Sequence, residues 1–563
     1  MKHSKKRAVL SAIQVPRKSF FWCTLLLVCL AGFTFSSLRL LFRGFHPWRP
    51  AATTATSSVK PNIPAVIETV EFPDETVVFL KYPPSTHLFT KYDLYCLYLT
   101  PKSSQSQQQQ QQQLQQSPES VENDELLGQQ LVRCPLIKPR GVLTSLSVKT
   151  IGHTLSIGPW RRWNSLAYEA MIDRDNTTVV FVKGFNLRGG KQSDPSKFKC
   201  VYGWDVKNSK FVLQSDVVSV AQEVVRCNTP MSILNNPQRF IGSNMNQPIK
   251  VSVRMVGKEP LESIASPKRR LQLNLPGQKQ HQMCVCTMLR NQASFLQEWI
   301  MYHSKIGVQR WFIYDNNSLD DIEDVVKVLS MDWNINVTRH VWPWIKTQEA
   351  GFAHCALRAR DVCEWVGFMD VDEFFHLPTG LSLLDILRNQ TQSPNSKVAE
   401  LRVSCHNFGP SGLKHVPTQG VTMGYNCRMI APERHKSIVK PEALNSTLIN
   451  VVHHFHLKSE FRYANMDRNV MVINHYKYQV WDVFKEKFYR RVATYVSDWQ
   501  QDRNVGSKDR APGLGTRAVE PPDWSSRFCE VIDTGLKDRV AQMFTDPSTG
   551  KLPWQNHRHD SAT

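Results

Sequence analysis

In the stretch Phe368-Met-Asp370-Val-Asp372-Glu373-Phe-Phe, three carboxylates follow directly on an apolar run. Two of them, Asp370 and Asp372, stand at i and i+2. They supply hard oxygen donors suited to Mg²⁺ or Mn²⁺, ions that keep positions open for phosphate. Such an ion offsets the charge on a departing diphosphate, which is what a nucleotide-sugar donor needs. A lone D-x-D also caps turns, but the buried-strand pattern before it and Phe374-Phe375 after it favour a site. A second source of ligands is the run Val452-His453-His454-Phe-His456. In an extended segment His454 and His456 share a face and His453 points the other way. One imidazole, His453 or His454, can therefore join the metal, and the alternative is a pair of packed imidazoles at a strand end.

Basic side chains for the phosphates lie in Arg434-His-Lys436-Ser-Ile-Val-Lys440-Pro, where Lys436 and Lys440 are the candidates. His475-Tyr476, after another apolar stretch, can close over the same group. Asp315 ends an earlier apolar run and can accept from a ribose hydroxyl or a base. Its plainer role is to start the turn Asn316-Asn-Ser.

These residues need a scaffold that gathers strand ends. From about 275 to 500 the pattern alternates strand and helix. Gln282–Leu289 reads as a buried strand, and Phe295, Leu296, Trp299, Ile300 and His303 mark a helix that Gly307 ends. Strand Trp311–Asp315, helix Asp320–Leu329, strand Asn334–Val341, helix Gln348–Glu364 and strand Trp365–Met369 follow. The alternation predicts an α/β domain on a mostly parallel sheet, with the ligand beyond the carboxyl ends of its strands. Residues 66–260 lack long helical periodicity and read as a β-sandwich-like module. Within it, 101–119 includes the glutamine run Gln107–Gln113 and reads as a disordered loop. Trp160, Trp163, Tyr168, Phe185, Tyr202 and Trp204 are either sandwich core or a stacking platform for sugar rings. Residues 501–563 form a C-terminal extension with one helix expected between Cys529 and Phe544.

The chain has 563 residues, 41% of them hydrophobic, enough for a large core and two or three domains. Its formal charge of +20 is compatible with nucleic acid, an anionic surface or phosphate-bearing substrates. Residues 20–42, FFWCTLLLVCLAGFTFSSLRLLF, are just long enough to cross a bilayer. Lys2, Lys5, Lys6, Arg7, Arg17 and Lys18 precede them, so 1–19 reads as a cytoplasmic tail and 43–65 as a lumenal stem. The segment is long for a cleaved signal peptide, and no clean cleavage site follows. Asn176, Asn336, Asn389 and Asn445 begin glycosylation sequons, and Asn316-Asn-Ser also matches the pattern. Of 13 cysteines, Cys23 and Cys29 lie in the apolar segment. The remaining eleven leave at least one outside intrachain disulfides. With the anchor and the sequons, the lack of a basic-aromatic reader motif argues against a nucleic-acid binder.

Taken together, Asp370-Val-Asp372-Glu373-Phe, Arg290-Asn-Gln with Phe295-Leu-Gln-Glu298-Trp299, Tyr314-Asp-Asn-Asn-Ser, Arg434-His-Lys436-Ser-Ile-Val-Lys440-Pro and Val452-His453 resemble glycosyltransferase family 92, from about residue 20 to 540. The resemblance implies a GT-A catalytic domain, an N-terminal carbohydrate-binding module and a Golgi membrane location as a single-pass type II protein. It implies Mn²⁺, UDP-galactose as donor and a β-1,4-galactan acceptor of pectin, with inversion at the anomeric carbon and pairing into homodimers. It places Asp370 and Asp372 in the metal motif, Asp315 after the second nucleotide-binding strand, Arg290 beside the donor, and His453 after the Lys-Pro segment, in a register ambiguous with His454. Direct displacement then needs a carboxylate base, for which Glu373 stands nearest the metal motif and Glu433 and Asp467 are alternatives. A competing reading is a membrane-tethered polysaccharide-binding protein with a degenerate α/β scaffold, and another is transfer of a different sugar.

Overall fold

Strand Glu75–Lys81 is buried along almost its whole length, which an alternating sequence cannot achieve and a β-branched run can. Val78 and Leu80 point into one core, and Val77 and Phe79 into another. The computed structural model describes residues 65–495 and 519–555 apart from short internal stretches, the longest at 102–110, 241–247 and 270–278. The tail expected at 1–19, the anchor at 20–42 and the stem at 43–65 lie outside the described residues, save Ala65, which begins strand Ala65–Glu71. Among the described residues no helix is long and apolar enough to cross a membrane.

Glu75–Lys81 belongs to a five-stranded sheet that faces a four-stranded one across Leu80, Leu94, Cys96, Tyr98, Val132 and Leu146, stapled by Cys96–Cys134. A following nine-stranded sheet curls over its own core of Val180, Val182, Cys200, Tyr202, Val251 and Val253, stapled by Cys200–Cys227. The β-rich region is thus two sandwich-like packings in series. The glutamine tract corrects the expectation of disorder in part: Gln111–Gln116 is an antiparallel partner of Leu94–Pro101. Backbone pairing does not need apolar side chains, and Leu114 packs on the core beneath. Residues 102–110 lie outside the described residues. Of the aromatic residues, Tyr168 and Tyr202 are core, whereas Trp160 and Trp204 are 40% and 44% exposed.

In the α/β part the sheet order is Val337–Val341, Arg310–Asp315, His281–Leu289, Cys363–Phe368, Arg434–Val439, Val398–Asn407, Val472–His475, Glu373–His376. The first four strands are parallel. Arg434–Val439 then runs antiparallel to both its neighbours, so the sheet is mixed beyond its parallel half. The result is an α/β fold consistent with GT-A. Helix Ala293–Ile306 lays Leu296, Trp299, Ile300 and His303 inward. It ends at Gly307, whose φ of 122° suits only glycine and whose N–H caps His303 and Ser304. Helices Ile322–Met331 and Gln348–Arg360 connect the remaining parallel strands.

The β-rich and α/β parts share one apolar core. Phe72, Phe79, Tyr168 and Phe181 interleave with Trp342, Trp344, Phe352 and Phe368. Accordingly, the described residues form one compact unit. Beyond 519 the chain packs back through Trp524, Leu536 and Trp554, with Cys427–Cys529 as a tie and helix Gly535–Phe544 where one was expected.

Ten of the eleven cysteines beyond residue 43 are paired, including Cys284–Cys363 and Cys286–Cys355, and Cys405 is free and buried. Five bridges fit an oxidising compartment. Asn176, Asn336 and Asn389 are exposed, but Asn316 is buried, so that sequon cannot carry a glycan.

Candidate active site

Strand Cys363–Phe368 ends in a tight turn in which the Glu373 N–H donates to the Asp370 carbonyl and the Asp370 N–H donates to Glu373 Oε2 (both 3.1 Å). The turn separates the three acids. Asp370 is about one-quarter exposed, Asp372 is nearly buried and Glu373 is fully buried. Helix Ala293–Ile306 braces the turn from behind: Trp299 Nε1–H donates to the Glu373 carbonyl at 2.7 Å, and the Phe375 N–H donates to His303 Nε2 at 3.2 Å. His303 can accept there because burial holds it neutral, with its pKa down at about 3.

Asp370 Oδ2 lies 3.5 Å from His453 Nε2 and 3.6 Å from Lys436 Nζ. His453 Nδ1 is held at 2.8 Å by the Phe368 carbonyl, which fixes the proton on Nδ1 and leaves Nε2 as a ligand. The histidine run is no single strand, and this corrects the extended reading. Asn450–Val451 and His454–Phe455 form a hairpin, and Val452 at its turn has φ 57°, a strained value for a β-branched residue. The hairpin parts the two histidines. His454 Nδ1 meets Ser437 Oγ at 2.9 Å, its ring sits 4.3 Å from that of His435, and burial and neighbouring cations lower its pKa to about 3. His453, not His454, faces Asp370.

Glu373 Oε1 lies 2.5 Å from Lys436 Nζ. Burial disfavours the Lys436 charge, but Glu373 and Asp370 outweigh it and push its pKa up. Asp372 takes other partners: it pairs with Lys487 and has His475 Nε2 at 3.3 Å.

These groups surround a cavity of about 300 Å³ whose lining includes Arg290, Asn316, Asp370, Asp372, Glu433, Lys436, His453, His475, Lys477 and Lys487. Its rim is mainly cationic, as a diphosphate requires. Lys477 and Lys487 were missed by sequence reasoning. Lys477 had a signal, since it follows His475 at strand spacing. Lys487 had none, because it reaches Asp372 from helix Trp481–Tyr495, 115 residues along the chain.

Several predicted residues fall elsewhere. Asp315 is fully buried: Oδ1 accepts from the Ser318 N–H at 3.0 Å and Oδ2 pairs with Arg339 at 2.7 Å. Its neighbour Asn316 is the one that lines the cavity. Lys440 lies at the far end of its strand, 3.6 Å from Glu364 and over the Trp365 ring. Four residues of extended chain, about 13 Å, separate it from Lys436. Tyr476 is packed among Phe374, Phe408 and Tyr425. Asp467 is exposed and accepts from the Asn469 N–H. Among the base candidates Glu373 is sealed in its ion pair, while Glu433 faces the cavity with Lys477 Nζ at 2.7 Å and Asn407 as partners. Burial pushes the Glu433 carboxyl up, but Lys477 and Asn407 pull it down to about 2.

Asp370, Glu373 and His453 bring one donor atom each within 4.8 Å of one another. Two carboxylates and an imidazole held through Nδ1 by the Phe368 carbonyl fit a divalent cation of the Mg²⁺–Mn²⁺–Zn²⁺ range.

The glycosyltransferase family 92 model matches residues 279–505. A glycosyltransferase family 92 protein of Ricinus communis is 61% identical over 95% of this chain and 97% of its own length. One of Oryza sativa subsp. japonica is 56% identical over 76% of this chain and 73% of its own. One of Arabidopsis thaliana is 53% identical over 71% and 70%. Solved structures match weakly: glucosyl-3-phosphoglycerate synthase from Mycobacterium tuberculosis shares 13% identity over 30% of this chain and 64% of that one, with a TM-score of 0.19.

Proposed function

This chain belongs to glycosyltransferase family 92, and from that premise we propose that it is an inverting β-1,4-galactosyltransferase that extends pectic galactan from UDP-galactose. At the coarser level it is a nucleotide-sugar glycosyltransferase with a candidate divalent-metal site. The observation that carries the reading is the partly exposed Asp370 carboxylate beside His453, at the carboxyl end of a central parallel strand, opening on a cation-rimmed cavity.

Asp370 and His453, with Glu373 behind them, would hold the ion, which we take to be Mn²⁺. Bound there, it supplies positive charge beside the leaving diphosphate. Lys436, Lys487 and Arg290 line the same cavity and offset the remaining phosphate charge. Glu433 is the one base candidate of the three that faces the cavity. It takes the proton from the acceptor O4 hydroxyl as that oxygen attacks C1 and the C1–O bond to UDP breaks. Paired with Lys477 it is a weak base, so the acceptor must draw Lys477 away before the proton moves.

The β-rich part would hold the polymer, with exposed Trp160 and Trp204 as stacking faces. The location we infer is the Golgi lumen, with 20–42 as the anchor. Five disulfides and three exposed sequons support it.

The test offers UDP-galactose, UDP-glucose and UDP-arabinopyranose to the purified chain with Mn²⁺ and a β-1,4-galactooligosaccharide, and determines product linkage. The expected result is β-1,4-galactosyl extension, lost in Asp370→Asn and His453→Ala. Transfer of another sugar in preference to galactose overturns the donor assignment, and full activity in both variants overturns the metal assignment.

A further inference from the structure

Asp315 was expected to meet the nucleotide, and its burial raises the question of what a charged residue does beneath the site. Its partner Arg339 is 8% exposed and also reaches Glu122 Oε2 at 3.2 Å. Glu122 stands on strand Ser120–Asp124 of the β-rich part and pairs in turn with Arg133. Arg133 is 1% exposed, pairs with Glu75 as well, and donates Nη2–H to Asn317 Oδ1 at 2.5 Å. Glu75, Arg133, Glu122, Arg339 and Asp315 therefore form one buried alternation of charge. It runs from the β-rich sheet to the turn after strand Arg310–Asp315. A guanidinium is the side chain able to serve three acceptors in this way, since it offers five donors in a fixed fork.

That turn is not idle. Asn317 holds φ 65° and donates to the Pro343 carbonyl. Asn316 donates to the Trp342 and Trp344 carbonyls and lines the cavity. Ser318 Oγ accepts from the Asn291 N–H, and Asn291 Oδ1 accepts from the Leu319 N–H, which ties the turn to the segment bearing Arg290 and Gln292 on the same wall.

We propose that Arg133, outside the stretch matched by the family model, is a positioning residue of the donor site: through Asn317 it sets the turn that presents Asn316 and Arg290 to the nucleotide. The catalytic part then lacks a properly set donor wall without the β-rich part. The proposal rests on reading the cavity as the nucleotide-sugar site.

The purified full-length chain is compared with Arg133→Met, Arg133→Lys and Asn317→Gly. The last keeps the left-handed backbone and removes only the side chain. Two quantities are read: the affinity for UDP with Mn²⁺ by calorimetry, and hydrogen exchange of the amides at 315–319 against those of His281–Leu289. Loss of a charged hydrogen bond predicts UDP binding weakened about tenfold or more in Arg133→Met and Asn317→Gly, with partial rescue in Arg133→Lys. Exchange at 315–319 rises while His281–Leu289 stays protected, and KM for the donor rises more than kcat falls. UDP affinity within about twofold of the unaltered chain in both Arg133→Met and Asn317→Gly overturns the proposal, as does unchanged exchange at 315–319. Should Arg133→Met not fold, Arg133→Lys and Asn317→Gly decide. Should the unaltered chain bind no UDP, the reading of the cavity fails, and the exchange arm still settles whether Arg133 sets the turn.

Discussion

Replacing Lys436 by Met tests whether Glu373 is a brace rather than a base. The ammonium lies 2.5 Å from a carboxylate with no solvent exposure, and the lysine itself is 11% exposed. At an effective dielectric near 20 that separation corresponds to about 7 kcal/mol of attraction. Withdrawing both ions from water costs a comparable amount, so the intact pair adds little net stability. Lys436→Met removes one partner and strands the other, which costs about 3–5 kcal/mol. Adding Glu373→Gln removes the stranded charge while keeping an oxygen for the Asp370 N–H, so Lys436→Met with Glu373→Gln regains most of the loss. Urea denaturation at pH 7 with the disulfides intact measures all three variants. A cost below about 1 kcal/mol for Lys436→Met, or a double variant no better than the single, refutes the brace. The same proteins carry a kinetic readout at saturating Mn²⁺, where the loss of Glu373 as a cation ligand is offset: Glu373→Gln lowers turnover by less than the roughly 100-fold or greater loss expected of a general base.

His303 makes the fold sensitive to acid. Its folded pKa of about 3 lies below the unfolded value near 6.5, so the unfolded chain takes up the proton first. Stability therefore falls as pH drops from about 6.5 towards 3, and a His303→Gln variant shows a flatter dependence over that window in thermal melts. Glu433 behaves in the opposite sense to a buried base: its carboxyl stays ionised down to about 2, and Lys477→Met moves its titration, followed by carboxyl NMR, upward towards the ordinary range near 4.3. An unmoved titration would break the link to Lys477. In denaturant without reductant, the region from residue 62 on yields one reactive thiol, that of Cys405. Two or more equivalents contradict the pairing.

The parallel half of the sheet was legible because its helices carry apolar residues at helical spacing and its strands are short apolar runs. Phe295, Leu296, Trp299 and Gly307 alone place the first helix and its end. The acid turn after Phe368 was legible for the same reason. What sequence could not supply were contacts made across topology. Lys487 comes from a later helix, and Arg339, which claims Asp315, comes from the neighbouring strand. His453 was separable from His454 only once the backbone at Val452 was seen to turn. The glutamine strand was hidden because its pairing is carried by backbone amides, which polar side chains neither require nor prevent.

Cys284 and Cys286 stand two apart on one strand, hence on one face, and their partners Cys363 and Cys355 stand eight apart. A nascent chain thus meets two nearly equivalent ways to close the same pair of loops, only one of which seats the strand that delivers Asp370. Maturation of this protein therefore leans on thiol–disulfide isomerase, and a cell short of that activity accumulates a crossed isomer in which the strand delivering Asp370 is not seated.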